Sequence, residues 1–292
     1  MPYLERHYRL PAANEDLLVA ELFLLGATGF QTAGPDPDGE LELTAFFEEE
    51  APAELDPATA AALAVEILGG EAIPERDWLA EYRALAQPIE VGRRFVCDPR
   101  DVDDPAVRSE PAAVPAGRTL LHIPAQTAFG TGSHESTRLA IELLEDEADA
   151  GRLAGCRVLD VGTGSGILCF VAERLGASFA AGYDIDAQAV CIAHLNAKLN
   201  HCRRGLLFAA DAAALRPVAS FDLLLVNELP ERILGEYPPI LSCLRPGGRV
   251  ISSGNLLVRR EELLAAFAGL GLEAVGQRQA GEWVAFTFQK KV

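Results

Sequence analysis

Positive charge is what this sequence has little of: 25 Lys and Arg stand against 43 Asp and Glu among 292 residues, a formal net charge of −18. That balance argues against direct binding of nucleic acid or of an anionic membrane, because both need a positive surface. A basic protein partner suits the field, and so does plain solubility. The six cysteines, Cys97, Cys156, Cys169, Cys191, Cys202 and Cys243, are scattered, with no CxxC pair and no His at zinc-finger spacing. Neither a metal site nor a redox motif is indicated, and reduced, mostly buried thiols are expected. No apolar run approaches the ~18 residues of a spanning helix, and the first residues, "MPYLERHYRLPAANEDLL", carry acids and no long apolar stretch. A cytoplasmic protein without internal repeats or low-complexity tracts is the expectation.

What is present is ample apolar content, 49% of the chain, and a length that suggests two domains. Residues 1–75 read as strand "YLERHYRL", helix "NEDLLVAELFLLGA", strand "GFQTA", turn "GPDPDGE", strand "LELTAFF", helix "DPATAAALAVEILGG" and a further strand near Glu71. Asn14 and Asp56 stand where helix caps belong, and the Gly-Pro-Asp segment is turn chemistry. The order βαββαβ is the ferredoxin-like pattern, which offers a binding surface and no evident chemistry. Residues 76–118 read as a linker: a short helix carrying Trp78 and Tyr82, a strand, and an irregular stretch rich in Asp, Pro and Ala. From Thr119 onward strands and helices alternate, with strands expected at 157–161, 180–184, 206–209, 221–226 and 249–253, which implies a parallel sheet covered on both faces.

The chemistry-bearing stretch is "VLDVGTGSGILCF" followed by "AAGYDID". Gly162, Gly164 and Gly166 fall between a buried strand and a helix, where the turn and a closely approaching ligand both exclude a Cβ. A dinucleotide fingerprint needs its last glycine where this chain has Ile167, so a nucleoside without a pyrophosphate, such as S-adenosylmethionine, fits better. Asp184, ending the next strand, is placed to accept hydrogen bonds from both ribose hydroxyls, and Asp186 is assigned to the N-cap of the following helix. Asp211 has two roles open to it, contact with the adenine edge or a loop cap.

Beyond the loop, "AFGTGSHESTRLA", "GYDIDAQAV", "DLLLVNELPE" and "GEWVAFTF" resemble, in order and spacing, the ribosomal protein L-eleven methyltransferases of the PrmA type. The resemblance is close from Asp77 onward and rests on pattern before it. It implies an α/β fold: a Rossmann-like class I methyltransferase with a seven-stranded sheet over residues 119–292, and a smaller N-terminal α+β ferredoxin-like domain that captures the ribosomal protein. It further implies methyl transfer from S-adenosylmethionine to lysine side chains and the N-terminal amine of that protein. Cofactor contacts carried over by motif fall on Thr137, Gly162, Asp184 and Asn227. Gly130 and Phe129 of "FGTG" supply a hinge and an apolar cover, with a plain core role as the rival for Phe129. Asn227 is expected to position the amine or the cofactor. Glu228 either attracts or deprotonates the acceptor amine or is simply an acid at a helix N-terminus, since Pro230 follows. His134 either touches ligand or fixes its loop, and positioning is favoured over catalysis. Trp283 is expected to close the sheet edge in a terminal hairpin.

Two motifs depart from the family pattern: "PAQTAFGTG" stands for the usual "PGLAFGTG", and "NELP" for an "NILA" type of segment. They leave open an enzyme of the same fold acting on another protein lysine or a metabolite. A scaffold that binds the cofactor without turnover is the rival from another class, and a nicotinamide dehydrogenase is disfavoured by Ile167.

Overall fold

A computed structural model describes residues 3–32, 34–48, 54–73, 83, 85–126, 130–217 and 219–291. The chain forms two compact units, Met1–Trp78 and Leu79–Val292. Trp78, Tyr82 and Phe129 lie outside the described residues.

In the first unit β1 (Tyr3–Pro11), α1 (Glu15–Leu24), β2 (Ala27–Thr32), β3 (Glu40–Glu48), α2 (Pro57–Ala62) and β4 (Glu66–Ile73) build an antiparallel sheet of order β2-β3-β1-β4. This is the expected βαββαβ arrangement. Alternate residues of β1 and β3, among them Tyr8, Leu10, Leu41, Leu43 and Phe47, are buried with Leu18 and Leu22 of α1, the period of two that a sheet with one covered face requires. Two local expectations change. Helix α2 stops at Ala62, well short of Gly70: Ala64 takes a left-handed φ of 51°, Val65 N–H bonds back to the Ala60 carbonyl, and "VEILGG" pairs with β1 as strand β4 instead. The β-branched Val65 and Ile67 favour the sheet, which outweighs the alanine run that precedes them. Asp56 caps α2 by accepting from Thr59 N–H at 3.1 Å. Asn14 sits at the N-cap of α1, but its amide donates to the Leu63 carbonyl and tethers the two helices.

The second unit begins with a small sheet, β5 (Ile89–Val91), β6 (Phe95–Asp98) and β7 (Thr119–His122), in which β6 pairs antiparallel with β5 and parallel with β7. The stretch expected as a linker therefore contributes two strands that pack with the second unit, and its irregular part holds one short helix, α3 (Pro105–Ser109), capped by Asp104. The hairpin is held by Glu145, which is fully buried. Its carboxylate accepts from the backbone N–H groups of Arg93 and Arg94 at 2.8 Å each.

Glu145 belongs to α4 (Glu135–Asp149), which leads into β8 (Arg157–Val161), α5 (Ile167–Arg174), β9 (Phe179–Asp184), α6 (Ala187–Leu199), β10 (Gly205–Ala209), β11 (Phe221–Asn227), α7 (Pro230–Ile233), α8 (Tyr237–Ser242), β12 (Leu244–Leu256), α9 (Arg260–Gly269), β13 (Leu272–Ala280) and β14 (Trp283–Lys290). The seven strands order as β10-β9-β8-β11-β12-β14-β13, parallel except for β14, which is antiparallel to both neighbours. Successive residues of β8 and β11 bury on opposite faces: Val158, Leu223 and Leu225 join α4, α5 and α6 on one side, while Leu159, Val161, Leu224 and Val226 join α7, α8 and α9 on the other. That explains why these strands read as nearly continuous apolar runs, interrupted by Asp160 in β8 and Asp222 near the start of β11. The chain leaves β8 toward β9 and β10, then crosses back to β11, so the strand order reverses between β8 and β11 and opens a crevice at their C-terminal ends. Trp283 does not lie on an edge strand: β13 is the edge, and β14 sits inside the sheet.

Replacing Glu145 by Ala removes the acceptor of two backbone N–H groups at the hairpin turn and leaves a void where a fully buried side chain stood. Glu145→Ala is expected to lower unfolding stability by roughly 2–4 kcal/mol, measured as a fall in the urea midpoint, and an unchanged midpoint would show that the hairpin is held by packing alone.

Candidate active site

The crevice is floored by the loop after β8. Gly162, Gly164 and Gly166 all take left-handed φ values, 66°, 50° and 84°, a run that L side chains resist, so the loop turns from strand to helix within a few residues, with the N–H groups of Thr163 and Gly166 bonded to the Tyr183 and Thr163 carbonyls. A Cβ built on Gly162 would meet nothing closer than Glu228 Oε2 at 3.8 Å, which leaves the mouth of the loop open. Ile167 follows as the buried first residue of α5.

Asp184 ends β9 beside this loop. Its Oδ2 accepts from Gly164 N–H at 2.9 Å and its Oδ1 from Asp186 N–H at 3.0 Å, one hydrogen bond on each oxygen. Each oxygen keeps a second lone pair for an incoming hydroxyl. Asp186 caps α6 by accepting from Gln188 N–H at 2.8 Å, the structural role assigned to it. Gly162, Asp184, Asp211 and Glu228 line one pocket, together with Tyr183, Ile185 and Glu236. Asp211 borders this pocket and also accepts from Ala214 N–H at 3.0 Å, so the cap and the wall of the pocket are the same carboxylate.

On the far side of the switch point Asn227 ends β11. Its Nδ2 donates to Thr137 Oγ1 at 3.3 Å, while its Oδ1 is buried without a hydrogen-bond partner. Such an orphaned acceptor is costly unless something donates to it. Thr137 is fully buried in the first turn of α4, and that turn is tied to β12 by the Ser253 hydroxyl, which donates to the Ser136 carbonyl at 2.7 Å. Glu228 follows Asn227, half-buried, its backbone pressed by Gly254 so closely that a Cβ at 254 would stand 2.8 Å from the Glu228 carbonyl oxygen. Pro230 opens α7 at its first position.

The loop before α4 joins the same site. Gly130 accepts from the Ser165 hydroxyl at 2.6 Å, which links "FGTG" to the glycine loop. His134 is the N-cap of α4: its Nδ1 accepts from Ser136 N–H at 3.2 Å, and its ring meets Trp283 edge-on at a centroid distance of 4.7 Å. The imidazole thus fixes a helix start and lines up Thr137 one turn further on.

Sequence reasoning missed Ser165, and it missed Asp160. Asp160 is fully buried in β8; its Oδ2 accepts from the Thr163 hydroxyl at 2.7 Å and its Oδ1 has no partner. Burial pushes its carboxyl up to about 7, and the neighbouring Asp184 adds to the rise, against the opposing hydrogen bonds from Thr163 and Cys169. The signal was a lone acid inside an otherwise apolar strand.

Residues 31–291 match the family described as Ribosomal protein L11 methyltransferase (PrmA). The chain belongs to that family. A ribosomal protein L11 methyltransferase of Pelobacter propionicus is 34% identical over 99% of this chain and 97% of its own length. One of Deinococcus radiodurans is 33% identical over 97% and 98%. Among solved structures, a ribosomal protein L11 methylase from Lactobacillus delbrueckii subsp. bulgaricus superposes with a TM-score of 0.59 and 26% identity, covering 70% of this chain and all of that one.

As a member of the L11 methyltransferase family the chain is a methyltransferase that uses S-adenosylmethionine. The residues present fit that cofactor: an open glycine cradle, a carboxylate with free lone pairs, and the orphaned Tyr183 Oη of a pocket-lining residue, with Asn227 Oδ1 orphaned next to Glu228.

The raised Asp160 carboxyl has a consequence for stability. Relative to an unfolded value of about 4, neutral Asp160 favours the fold at low pH, and that contribution is lost as pH climbs from about 4 to about 7. Asp160→Asn is therefore expected to melt progressively higher than the parent between pH 4 and 7, with a constant gain above that range. Melting temperatures that run parallel across pH 4–8 would remove the claim.

Proposed function

We propose that the protein transfers methyl groups from S-adenosylmethionine to amines of ribosomal protein L11, its lysine side chains and N-terminal amine, in the cytoplasm. The observation that carries the reading is Asn227 Oδ1, a buried acceptor without a donor beside the glycine loop and next to Glu228. An amine approaching a methyl donor needs such an acceptor for its N–H while its lone pair points at the carbon.

The roles follow from the contacts. Asp184 holds the ribose hydroxyls on its remaining lone pairs, and the open mouth of the loop at Gly162 receives the remainder of the nucleoside. Asp211 faces the adenine edge. Gly130, fixed by Ser165, keeps the "FGTG" loop against the glycine loop. The Thr137 bond holds the Asn227 amide in one orientation, with its oxygen committed to the acceptor. When bound, the cofactor supplies an electrophilic methyl on a sulfonium. Glu228 draws in a protonated amine by charge and is placed to take its proton, directly or through water, since a lysine with a pKa of about 10.4 arrives as the ammonium. No covalent nucleophile is needed, so the protein acts by binding, orientation and removal of one proton. A basic protein acceptor also agrees with the enzyme's formal net charge of −18.

Intact-mass spectrometry of recombinant L11, after incubation with the enzyme and S-adenosylmethionine, is expected to show steps of roughly 14 Da per methyl. Unmodified L11, alongside methylation of other proteins or metabolites in an extract, would transfer the reading to another acceptor. Binding with no labelled product of any kind would leave a scaffold. Asp184→Ala is expected to weaken cofactor binding about tenfold or more through loss of two hydrogen bonds to a charged acceptor. Asn227→Ala is expected to change that affinity much less while lowering kcat about a hundredfold, and equal losses of affinity in both variants would demote Asn227 to a cofactor ligand.

A further inference from the structure

The buried face of α6 carries two amides where apolar side chains are the rule. Val190 and Ala193 join the core from that helix, and Asn196 and Asn200, four residues apart and hence in one line along it, are both buried. Asn200, the C-cap, grips one residue of β7. Its Oδ1 accepts from His122 N–H at 2.8 Å and its Nδ2 donates to the His122 carbonyl at 2.7 Å, the pair of bonds that an antiparallel neighbour would give this edge of the β5-β6-β7 sheet. The same Nδ2 donates to the Asn196 carbonyl at 2.8 Å and so ties the two residues together. Asn196 in turn donates through Nδ2 to the Ser165 carbonyl at 3.0 Å, and its Oδ1 is buried without a partner.

Ser165 is the last residue of the glycine loop before Gly166, which stands at the N-cap of α5 with no side chain to cap it. The loop is therefore held at this point from outside. On one side Asn196 takes the Ser165 carbonyl; on the other the Ser165 hydroxyl reaches the Gly130 carbonyl, across a gap so narrow that a Cβ at 130 would stand 3.0 Å from that oxygen. The segment that leads from His122 into "FGTG", and that contains the "PAQT" departure from the family pattern, is thus fixed at both ends by one circuit: at His122 by Asn200, and at Gly130 by Ser165, which Asn196 holds. Stability does not account for Asn196. An orphaned buried oxygen offsets the single bond its amide makes, and an apolar side chain would suit the surrounding core.

We propose that Asn196 and Asn200 are positioning residues for the cofactor: as a linked pair on α6 they set the spacing between the glycine loop and the segment leading into "FGTG", and with it the fit of S-adenosylmethionine between them. Neither touches the cofactor; Asn196 acts through Ser165, and Asn200 acts through His122 and the start of that segment. The pair serves the cofactor side of the crevice, whichever amine accepts the methyl group.

Titration calorimetry of the full-length protein with S-adenosylmethionine tests the pair, with thermal midpoints taken on the same samples without cofactor. Asn196→Leu, which keeps the branched skeleton, is expected to weaken cofactor binding about tenfold while the midpoint stays close to the parental one, because one orphaned acceptor replaces another. A side chain that only stabilised the fold would lower the midpoint and leave the affinity of the folded protein alone. Ser165→Ala removes the bond to Gly130 and is expected to weaken binding to a similar degree, and the double variant is expected to bind no more weakly than the poorer single one, since both act on the same spacing. Should leucine overpack the site, the isosteric Asn196→Asp carries the test. Its neutral carboxyl can donate to the Ser165 carbonyl and its carboxylate cannot, so its deficit relative to the parent is expected to grow between about pH 6 and about pH 9; taking the ratio to the parent removes the titration of Asp160, which both proteins share. Parental affinity in Asn196→Leu, additive losses in the double variant, or a ratio for Asn196→Asp that stays flat with pH would each overturn the assignment.

Discussion

A backbone that must pass from strand to helix in five residues is the constraint around which the second unit is arranged. Gly162, Gly164 and Gly166 meet it by adopting left-handed angles, and the neighbours then lock the turn: Asp184 takes the Gly164 N–H, Thr163 binds Asp160, and Ser165 reaches out to Gly130. Each of these bonds also sets a second element. The glycine loop, the end of β9 and the loop before α4 are therefore one connected object, placed where the strand order reverses.

Across that crevice the same economy holds for the amine side. Asn227 is oriented by a hydroxyl on α4, α4 is started by His134, and His134 leans on Trp283 of β14. The groups that touch the reacting partners are few, and the groups that aim them are drawn from distant parts of the chain. This suits a reaction in which the leaving group is already good and geometry is the main requirement.

Much of this was legible in the sequence, for identifiable reasons. Strand β8 runs over Arg157–Val161 as expected, because its residues bury on both faces and read as an apolar run, broken only by Asp160, between a charged residue and a glycine. The position of Asp184 at the end of β9, the cap at Asp186 and the hairpin at the end of the chain follow from spacing alone. The overrun of α2 shows the limit of local propensity: "AAALAVEILGG" is a continuous helical pattern until the pairing of β4 with β1 claims its second half. One strand was expected within 76–118 and two are there, 89–91 and 95–98, paired as a local hairpin; the parallel pairing of 95–98 with 119–122 was hidden because the irregular stretch separates the partners, and so was the carboxylate on α4 that anchors the hairpin. Asp160 and the orphaned Asn227 oxygen were opaque for a different reason. Burial of a polar atom is a property of three-dimensional packing, and periodicity carries no trace of whether a partner is present.

The position of β14 inside the sheet bears on how the protein comes into being during synthesis. Trp283 must be in place before the His134 cap is backed, and the strand that carries it inserts between β12 and β13. A growing chain that has emerged as far as β12 possesses the glycine loop, Asp184 and Asn227, yet the helix that steers Asn227 still lacks its support. Contacts of such long sequence separation form late. The backing of α4 therefore waits for β14, the last strand of the sheet to be synthesised.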